Sequence, residues 1–330
     1  MSAPALLEVD GLFVHFEASR RPKPAVVHAV DGVSFRIPRG TTFGIVGESG
    51  SGKSTTAQAV MRLVPTTAGA IRLDGRNIID LNGVALHEVR KSLQMIFQDP
   101  FSSLDPRRRA GNLIAEPIRL LEHRSKDETA ARVDELLAAV GLQPSAASLF
   151  PHQFSGGQRQ RLCIARALAT APALIVCDEA VSALDVAIQA QILNLLLRLQ
   201  AERGLAYLFI SHDLGVVQHM CDEIAVMYLG QIIEQAPNSA FFSRPHHPYT
   251  WSLMTAALPA GPLRQSLKKS YLATGEPPSP INPPNGCRFA SRCPFVVTRC
   301  REEAPELVAI GTGHWVACHR HDEIDPPVFA

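Results

Sequence analysis

An α/β fold built on a parallel sheet is what this 330-residue sequence predicts. Three observations carry the prediction. Short apolar runs, "ALIVCDE" and "AYLFISH", have the pattern of central strands buried on both faces. Between them, "VAIQAQILNLLLRLQAERG" places Ile188, Ile192, Leu195, Leu196 and Leu199 on one helical face and stops at Gly204. Upstream, the strand-like "TFGIVG" runs directly into the helical "GKSTTAQAVMRLV". Strands that alternate with helices form parallel sheets.

The elements follow in order. "LLEVDGLFVHF" and "AVDGVSFRIPRGTTFGIVG" alternate apolar and polar residues around Gly and Pro, as antiparallel strands do. A more polar, helical middle includes "SKDETAARVDELLAAVGL", where Ser125 and Glu128 have the spacing of a capping box. From Pro259 the texture changes, through "ALPAGPLRQSLKKS" to "GEPPSPINPPNG". That proline density predicts an extended linker over 259–286, with a cysteine-rich segment, 287–330, hanging beyond a main domain of 1–258. No internal repeat is visible.

Composition excludes some functions. The chain is 46% hydrophobic and 19% charged with a formal net charge of +1, so nucleic acid or an anionic membrane is not expected as a charge-driven partner. The start, "MSAPALLEVDGL", lacks the basic end and apolar stretch of a secretory signal. No run approaches the roughly 18 apolar residues of a membrane span. The expectation is a cytosolic chain, where structural disulfides are rare, and any membrane role comes through a partner.

"GESGSGKS", Gly47 to Ser54, fits the phosphate-loop pattern of Gly, four residues, then Gly-Lys-Ser. Its glycines let backbone N–H groups turn inward around phosphates that also sit at a helix N-terminus. The candidate nucleotide-binding residues are Gly47, Ser49, Gly50, Gly52, Lys53, Ser54 and Thr55. Lys53 should reach the β- and γ-phosphates, and the Ser54 hydroxyl should meet Mg²⁺. In "ALIVCDE", Asp178 is a carboxylate at the end of a buried strand, as a Mg²⁺ ligand requires, and Glu179 is placed to polarise a water. In "FSGGQRQRLCIARAL", Ser155 would cap a helix whose first turn holds Gly156, Gly157 and Gln158. Free N–H groups there offer a second anion site, suited to a nucleotide held from another subunit. An Asp-Glu pair alone is more often a solvated corner, and Ser-Gly-Gly alone an ordinary helix start. Their order after a phosphate loop is what is specific.

In that order the motifs resemble the ATP-binding subunit of an ABC transporter over roughly Leu6 to Pro259. The resemblance implies an ABC-type P-loop ATPase with a RecA-like core, an antiparallel β subdomain and a helical subdomain at about 100–165. It makes "SGGQ" the signature, Gln98 in "IFQDP" the Q-loop residue that senses metal and water, and Asp185 in "SALD" part of the D-loop. It makes His212 in "ISHD" the histidine near the γ-phosphate, Phe16 in "VHF" the adenine-stacking ring and Glu179 the general base. Mg²⁺ would be held by Ser54, Gln98 and Asp178. Two subunits would meet head to tail around two ATP molecules. Phe154 before the signature and Ala180 after Glu179 depart from the usual Leu and Pro, and neither removes a catalytic group.

"FQDPFSSLDPR", "RPHHPYTWSLMTAALP", "CRFASRCP" and "HWVAC" further resemble ATPases of the oligopeptide and dipeptide importers. This implies a peripheral subunit on the cytoplasmic face of the bacterial inner membrane. Its implied partners are a homologous ATPase (heterodimer, or homodimer in isolation), two transmembrane permeases and, through them, a periplasmic solute-binding protein. Importers of nickel, glutathione or other small solutes, and a soluble ABC regulator, are the alternatives. Phe101, Ser102 and Leu104 are expected to line the groove for a permease's cytoplasmic helix. His246, His247 and Tyr249 read as a helix start packed on the core.

Seven cysteines remain. Cys163, Cys177 and Cys221 lie in apolar surroundings, as core residues. Cys287, Cys293, Cys300 and Cys318 gather after the linker without the close pairs usual in structural zinc sites. Four thiolates on loops can ligate a 4Fe–4S cluster, and similar C-terminal segments in this importer group carry one. Zinc, or thiols without metal, are the alternatives, with His314 and His319 as neighbours rather than ligands.

Overall fold

A computed structural model describes residues 5–19, 25–122, 124–259, 261–273, 275–327 and 329. The chain opens with strands β1 (Ala5–Ser19), β2 (Ala25–Pro38) and β3 (Thr42–Val46), then helix α1 (Lys53–Val60). Strands β4 (Ala68–Leu73) and β5 (Arg76–Asn77), helix α2 (Gly83–Ser92) and strand β6 (Leu93–Ile96) follow. The middle holds helices α3 (Ala110–Leu121), α4 (Lys126–Ala139) and α5 (Gly156–Ala167), then β7 (Leu174–Asp178), α6 (Val186–Arg203), β8 (Ala206–Ile210) and α7 (Leu214–Met220). The chain ends with β9 (Glu223–Tyr228), β10 (Gln231–Pro237), α8 (Asn238–Ser243), α9 (Pro248–Ala257), α10 (Pro262–Tyr271), α11 (Thr298–Glu302), β11 (Val308–Gly311) and β12 (His314–Val316). Two compact units interleave along it. The first comprises Met1–Leu7, Ile37–Thr41 and Arg72–Ile210; the second comprises Glu8–Arg36, Thr42–Ile71 and Ser211–Ala330.

In the first unit β6, β7 and β8 run parallel, with Ile96 opposite Cys177 and Asp178 opposite Ile210. Every residue of β7 and β8 is buried, which is why both strands read as unbroken apolar runs. Each large aliphatic side chain buried there contributes roughly 1.5–3 kcal/mol. Helix α6 buries Ile192, Leu193, Leu195, Leu196 and Leu199, and ends where Gly204 takes φ 65°. The Tyr207 hydroxyl donates to the Leu196 carbonyl at 3.0 Å, tying β8 to α6. Helix α4 starts at the capping box that the sequence suggests: the Glu128 N–H donates to Ser125 Oγ at 3.2 Å and the Ser125 N–H to Glu128 Oε2 at 2.8 Å.

In the second unit β3 runs parallel to β9, whereas β9–β10, β10–β12 and β11–β12 are antiparallel. Strands β1, β2 and β4 form a further hydrogen-bonded group, fixed where the Thr67 N–H meets the Phe13 carbonyl at 2.8 Å. Helix α9 begins at His247, whose Nδ1 accepts the Tyr249 N–H at 3.0 Å. Burial holds His247 down to about pKa 4, so its ring is neutral. His246, His247 and Tyr249 therefore do form a packed helix start.

The C-terminal third differs from the sequence expectation in two respects. The segment expected to be an extended linker contains α10, because Pro259 and Pro262 stand at its front and no proline falls among residues 263–271. Beyond it the chain is extended, with the His28 N–H donating to the Pro280 carbonyl at 3.0 Å. Nor does the cysteine-rich segment hang free. Its hairpin β11–β12 joins the sheet at β10, where Glu234 lies opposite Val316. Its Phe289 is 1% exposed, with ring centroids 5.4 Å from those of Tyr228 and Tyr249. Among the described residues no helix is long and apolar enough to cross a membrane.

Candidate functional site

The phosphate loop belongs to the second unit and connects β3 to α1. Two of its glycines are obligatory. A Cβ on Gly47 would lie 2.2 Å from the Met227 carbonyl oxygen, and one on Gly52 2.2 Å from that of Ala29. Gly47, Gly50 and Gly52 all have positive φ, which suits a loop that turns N–H groups toward an anion. The Lys53 ammonium is buried and donates to the carbonyls of Gly47 at 2.9 Å and Glu48 at 2.8 Å. Ser54 and Thr55 occupy the first turn of α1, and Ser49 lies in the loop itself. His212 is exposed and follows Ser211, whose N–H donates to the β3 residue Ile45 at 3.3 Å. The next residue, Asp213, caps α7 by accepting the N–H groups of Gly215 and Val216. Phe16, on β1, is partly open to solvent, as a stacking ring must be.

The remaining predicted residues belong to the first unit. Asp178 ends β7 and is 8% exposed. Glu179 follows in a left-handed conformation, φ 48°, unusual for a residue with a side chain. Neighbours enforce that turn: the Glu179 N–H donates to the Ile210 carbonyl at 3.0 Å, and its carbonyl accepts from Ser182 N–H and Oγ. Gln98 Nε2 donates to Glu179 Oε2 at 3.0 Å, so the fold brings these two together. At α5 a capping box links Ser155 and Gln158. The Gln158 amide is engaged there, its Oε1 accepting the Ser155 N–H at 3.0 Å. A Cβ on Gly157 would lie 2.6 Å from Ile188 Cγ2, so this glycine admits α6. Asp185 is the N-cap residue of α6. Phe154 and Ala180 are buried apolar residues.

The expected docking residues divide. Phe101 is 63% exposed, with the Arg159 guanidinium 4.0 Å from its ring centroid. The Asp99 carboxylate accepts the Phe101 N–H at 2.8 Å and that of Ser102 at 3.2 Å. The Phe101 hydrogen bond in particular lowers the pKa of Asp99. Leu104 is only 1% exposed and cannot line a groove: its apolar chain is core, not surface.

Cys163, Cys177 and Cys221 are buried core residues; a Cβ on Gly44 would meet Cys221 Sγ at 2.7 Å. In the second unit, Cys287, Cys293, Cys300 and Cys318 line one cavity together with Phe289 and Phe295. Burial pushes the thiols up, Cys293 to about 11 and Cys318 to about 12. Cys287 is raised as well. Backbone N–H groups of Phe289, Phe295 and Arg320 nevertheless hydrogen-bond the sulfurs of Cys287, Cys293 and Cys318. His314 pairs with Glu234 and His319 with the Glu303 carbonyl, so both histidines have other partners.

Several contacts had no sequence signal. The Tyr249 hydroxyl accepts the N–H of Glu48, within the phosphate loop, at 2.8 Å. Arg288 pairs with Asp31, which also holds His15 Nε2 at 2.8 Å, and Arg292 pairs with Glu48. These partners are brought together from distant positions, where no local spacing could reveal them.

A family profile described as ABC transporter matches residues 30–182, and one described as Oligopeptide/dipeptide transporter, C-terminal region matches residues 233–300. The chain is 50% identical over 318 residues to a probable peptide ABC transporter ATP-binding protein of Sinorhizobium fredii, covering 96% of this chain and 90% of that one. It is 45% identical over 325 residues to the oligopeptide transport ATP-binding protein OppF of Salmonella typhimurium, covering 97% of each. Among solved structures, a dimeric post-hydrolysis state of the ATP-binding cassette MJ0796 bound to ADP and Pi matches with TM-score 0.62 and 27% identity, over 70% of this chain and 98% of that one. The protein cbiO1 of Clostridium perfringens, described as part of the ABC transporter complex cbiONQ, matches with TM-score 0.63 and 28% identity, over 72% of this chain and 90% of that one.

Proposed function

This chain belongs to the ABC transporter family, within its oligopeptide/dipeptide group of ATP-binding subunits, and on that premise we propose that it hydrolyses ATP to power peptide import. The observation that carries the reading is the hydrogen bond from Gln98 to Glu179 at the end of the buried strand β7, within a chain that also has a complete phosphate loop. Glu179 is the general base: its carboxylate takes the proton of the attacking water, while Gln98 holds its orientation. Lys53 and the loop N–H groups bind the β- and γ-phosphates. Ser54, Gln98 and Asp178 would hold Mg²⁺, which neutralises charge developing on the phosphate oxygens. His212 acts beside the γ-phosphate, Phe16 stacks on adenine, and Asp185 belongs to the dimer contact. The signature turn, Ser155 to Gln158, presents the α5 N-terminus to ATP bound by a second ATPase subunit.

That second subunit is a homologous ATPase or another copy of this chain. The pair would sit on the cytoplasmic face of the bacterial inner membrane, beneath two permeases that receive peptide from a periplasmic binding protein. Phe101 and Ser102 are the exposed part of the permease contact, with Arg159 stacked on the aromatic ring. Phe101→Asp should abolish ATP-driven peptide uptake in the assembled transporter while ATP affinity of the subunit stays within about twofold. Normal uptake by that variant would remove Phe101 from the contact.

We propose that the four clustered cysteines hold a structural 4Fe–4S cluster, with zinc or metal-free thiols as the alternatives. Their sulfurs share a largely apolar cavity and three receive backbone N–H groups, the donors that stabilise thiolates once metal displaces their protons. Anaerobically purified protein should contain about four iron and four sulfide per chain. Stoichiometric zinc without iron would reverse the assignment.

A further inference from the structure

Glu48 is the second residue of the phosphate loop, and all three of its polar groups are held. Its backbone N–H donates to the Tyr249 hydroxyl at 2.8 Å, and its carbonyl accepts from Lys53 Nζ at 2.8 Å. Its carboxylate is gripped bidentately by Arg292, Nη1 to Oε2 at 2.8 Å and Nη2 to Oε1 at 3.0 Å. The Arg292 side chain is only 8% exposed, between the rings of Tyr228 and Phe289. A guanidinium enclosed in this way has few alternative rotamers, and its fork fits a carboxylate geometrically as well as electrostatically.

Arg292 immediately precedes Cys293, and the cysteine-rich turn fixes its backbone. The Arg292 N–H donates to the Phe289 carbonyl at 2.9 Å, the Ala290 N–H to Cys287 at 3.0 Å, and the Cys287 N–H to Cys300 at 2.8 Å. The turn that carries the clustered cysteines thus also carries the arginine that reaches the phosphate loop. A carboxylate in that loop is a liability, because the ligand is a polyanion. Paired with Arg292 it is neutralised and turned to one side; unpaired, it repels phosphate.

We infer that Arg292 is a positioning residue for nucleotide binding, holding Glu48 so that the phosphate loop accepts ATP, and that the cysteine-rich segment sets ATP affinity through this contact. The inference rests on the ATP-binding reading of the loop but not on which metal the cysteines hold. It also assigns Tyr249 a supporting part, as the acceptor for the Glu48 N–H.

The test is ATP affinity of the full-length chain, by competition against a fluorescent nucleotide, together with kcat and KM for hydrolysis. Arg292→Ala should raise the Kd and KM for ATP about tenfold with kcat within twofold. Adding Glu48→Gln to that variant should recover at least half of the lost affinity on a logarithmic scale, because the unpaired carboxylate is gone. A role in stability alone would not yield to this second substitution. If Arg292→Ala does not fold, Tyr249→Phe, which removes one acceptor, should still raise the Kd about threefold. Unchanged affinity in folded Arg292→Ala, a loss that Glu48→Gln leaves untouched, or unchanged affinity in Tyr249→Phe where only that variant folds, would overturn the inference. Failure of even the wild type to bind ATP would instead overturn the ATP-binding reading itself.

Discussion

Glu179→Gln is expected to bind ATP as the wild type does and to hydrolyse it about 10²–10⁴-fold more slowly, the usual contribution of a positioned general base. The substitution preserves shape. Gln98 Nε2 now donates to a carboxylate oxygen at 3.0 Å, and an amide oxygen can accept the same bond. The unusual φ of 48° is set by the bonds to Ile210 and Ser182, which involve backbone atoms of residue 179 and survive the change. What disappears is the ability to take a proton from water. Phosphate release under saturating ATP should therefore fall while the Kd holds, and the ATP-bound dimer should accumulate on gel filtration. Wild-type turnover in this variant would remove Glu179 from the base role.

Lys53→Ala should act on binding rather than on chemistry, weakening ATP affinity roughly 10²-fold. A charge-assisted hydrogen bond contributes about 1.5–3 kcal/mol, and about 2.7 kcal/mol is a factor of 100. The buried ammonium now serves the carbonyls of Gly47 and Glu48. Without it the Gly47 carbonyl loses this donor, the Glu48 carbonyl keeps the Ser51 N–H at 3.2 Å, and the loop meets a polyanion without its ammonium. Calorimetric titration with ATP would show the loss, and a thermal melt of the same sample separates it from unfolding. Retained affinity would mean that the loop N–H groups alone carry the phosphates.

Much of this architecture is legible in the sequence where the physics is local. The buried strands β7 and β8 are continuous apolar runs, the α4 capping box is a three-residue spacing, and the phosphate loop is a glycine pattern. What escaped is either cooperative or long-range. Helix α10 lies in a segment whose overall composition is that of an extended linker, because its prolines flank the helix and do not fall in its interior. Leu104 lies between exposed Phe101 and exposed Arg107, and only packing reveals that it is core. Arg292 and Tyr249 reach Glu48 from 244 and 201 positions away in the chain, and nothing near either residue announces a partner. The same holds for Arg288 and Asp31. The cysteine-rich segment therefore has the sequence of an appendage, although its hairpin extends the sheet and its arginine pairs with a phosphate-loop carboxylate.

On this reading, ATP hydrolysis by the chain drives peptide import. Its most direct test is uptake of a labelled oligopeptide into proteoliposomes holding the chain, its partner ATPase and the two permeases, with the binding protein outside and Mg-ATP inside. Uptake should require ATP and fall at least tenfold when Glu179→Gln replaces the wild-type chain. ATP hydrolysis without peptide accumulation, or uptake that Glu179→Gln leaves unchanged, would contradict it.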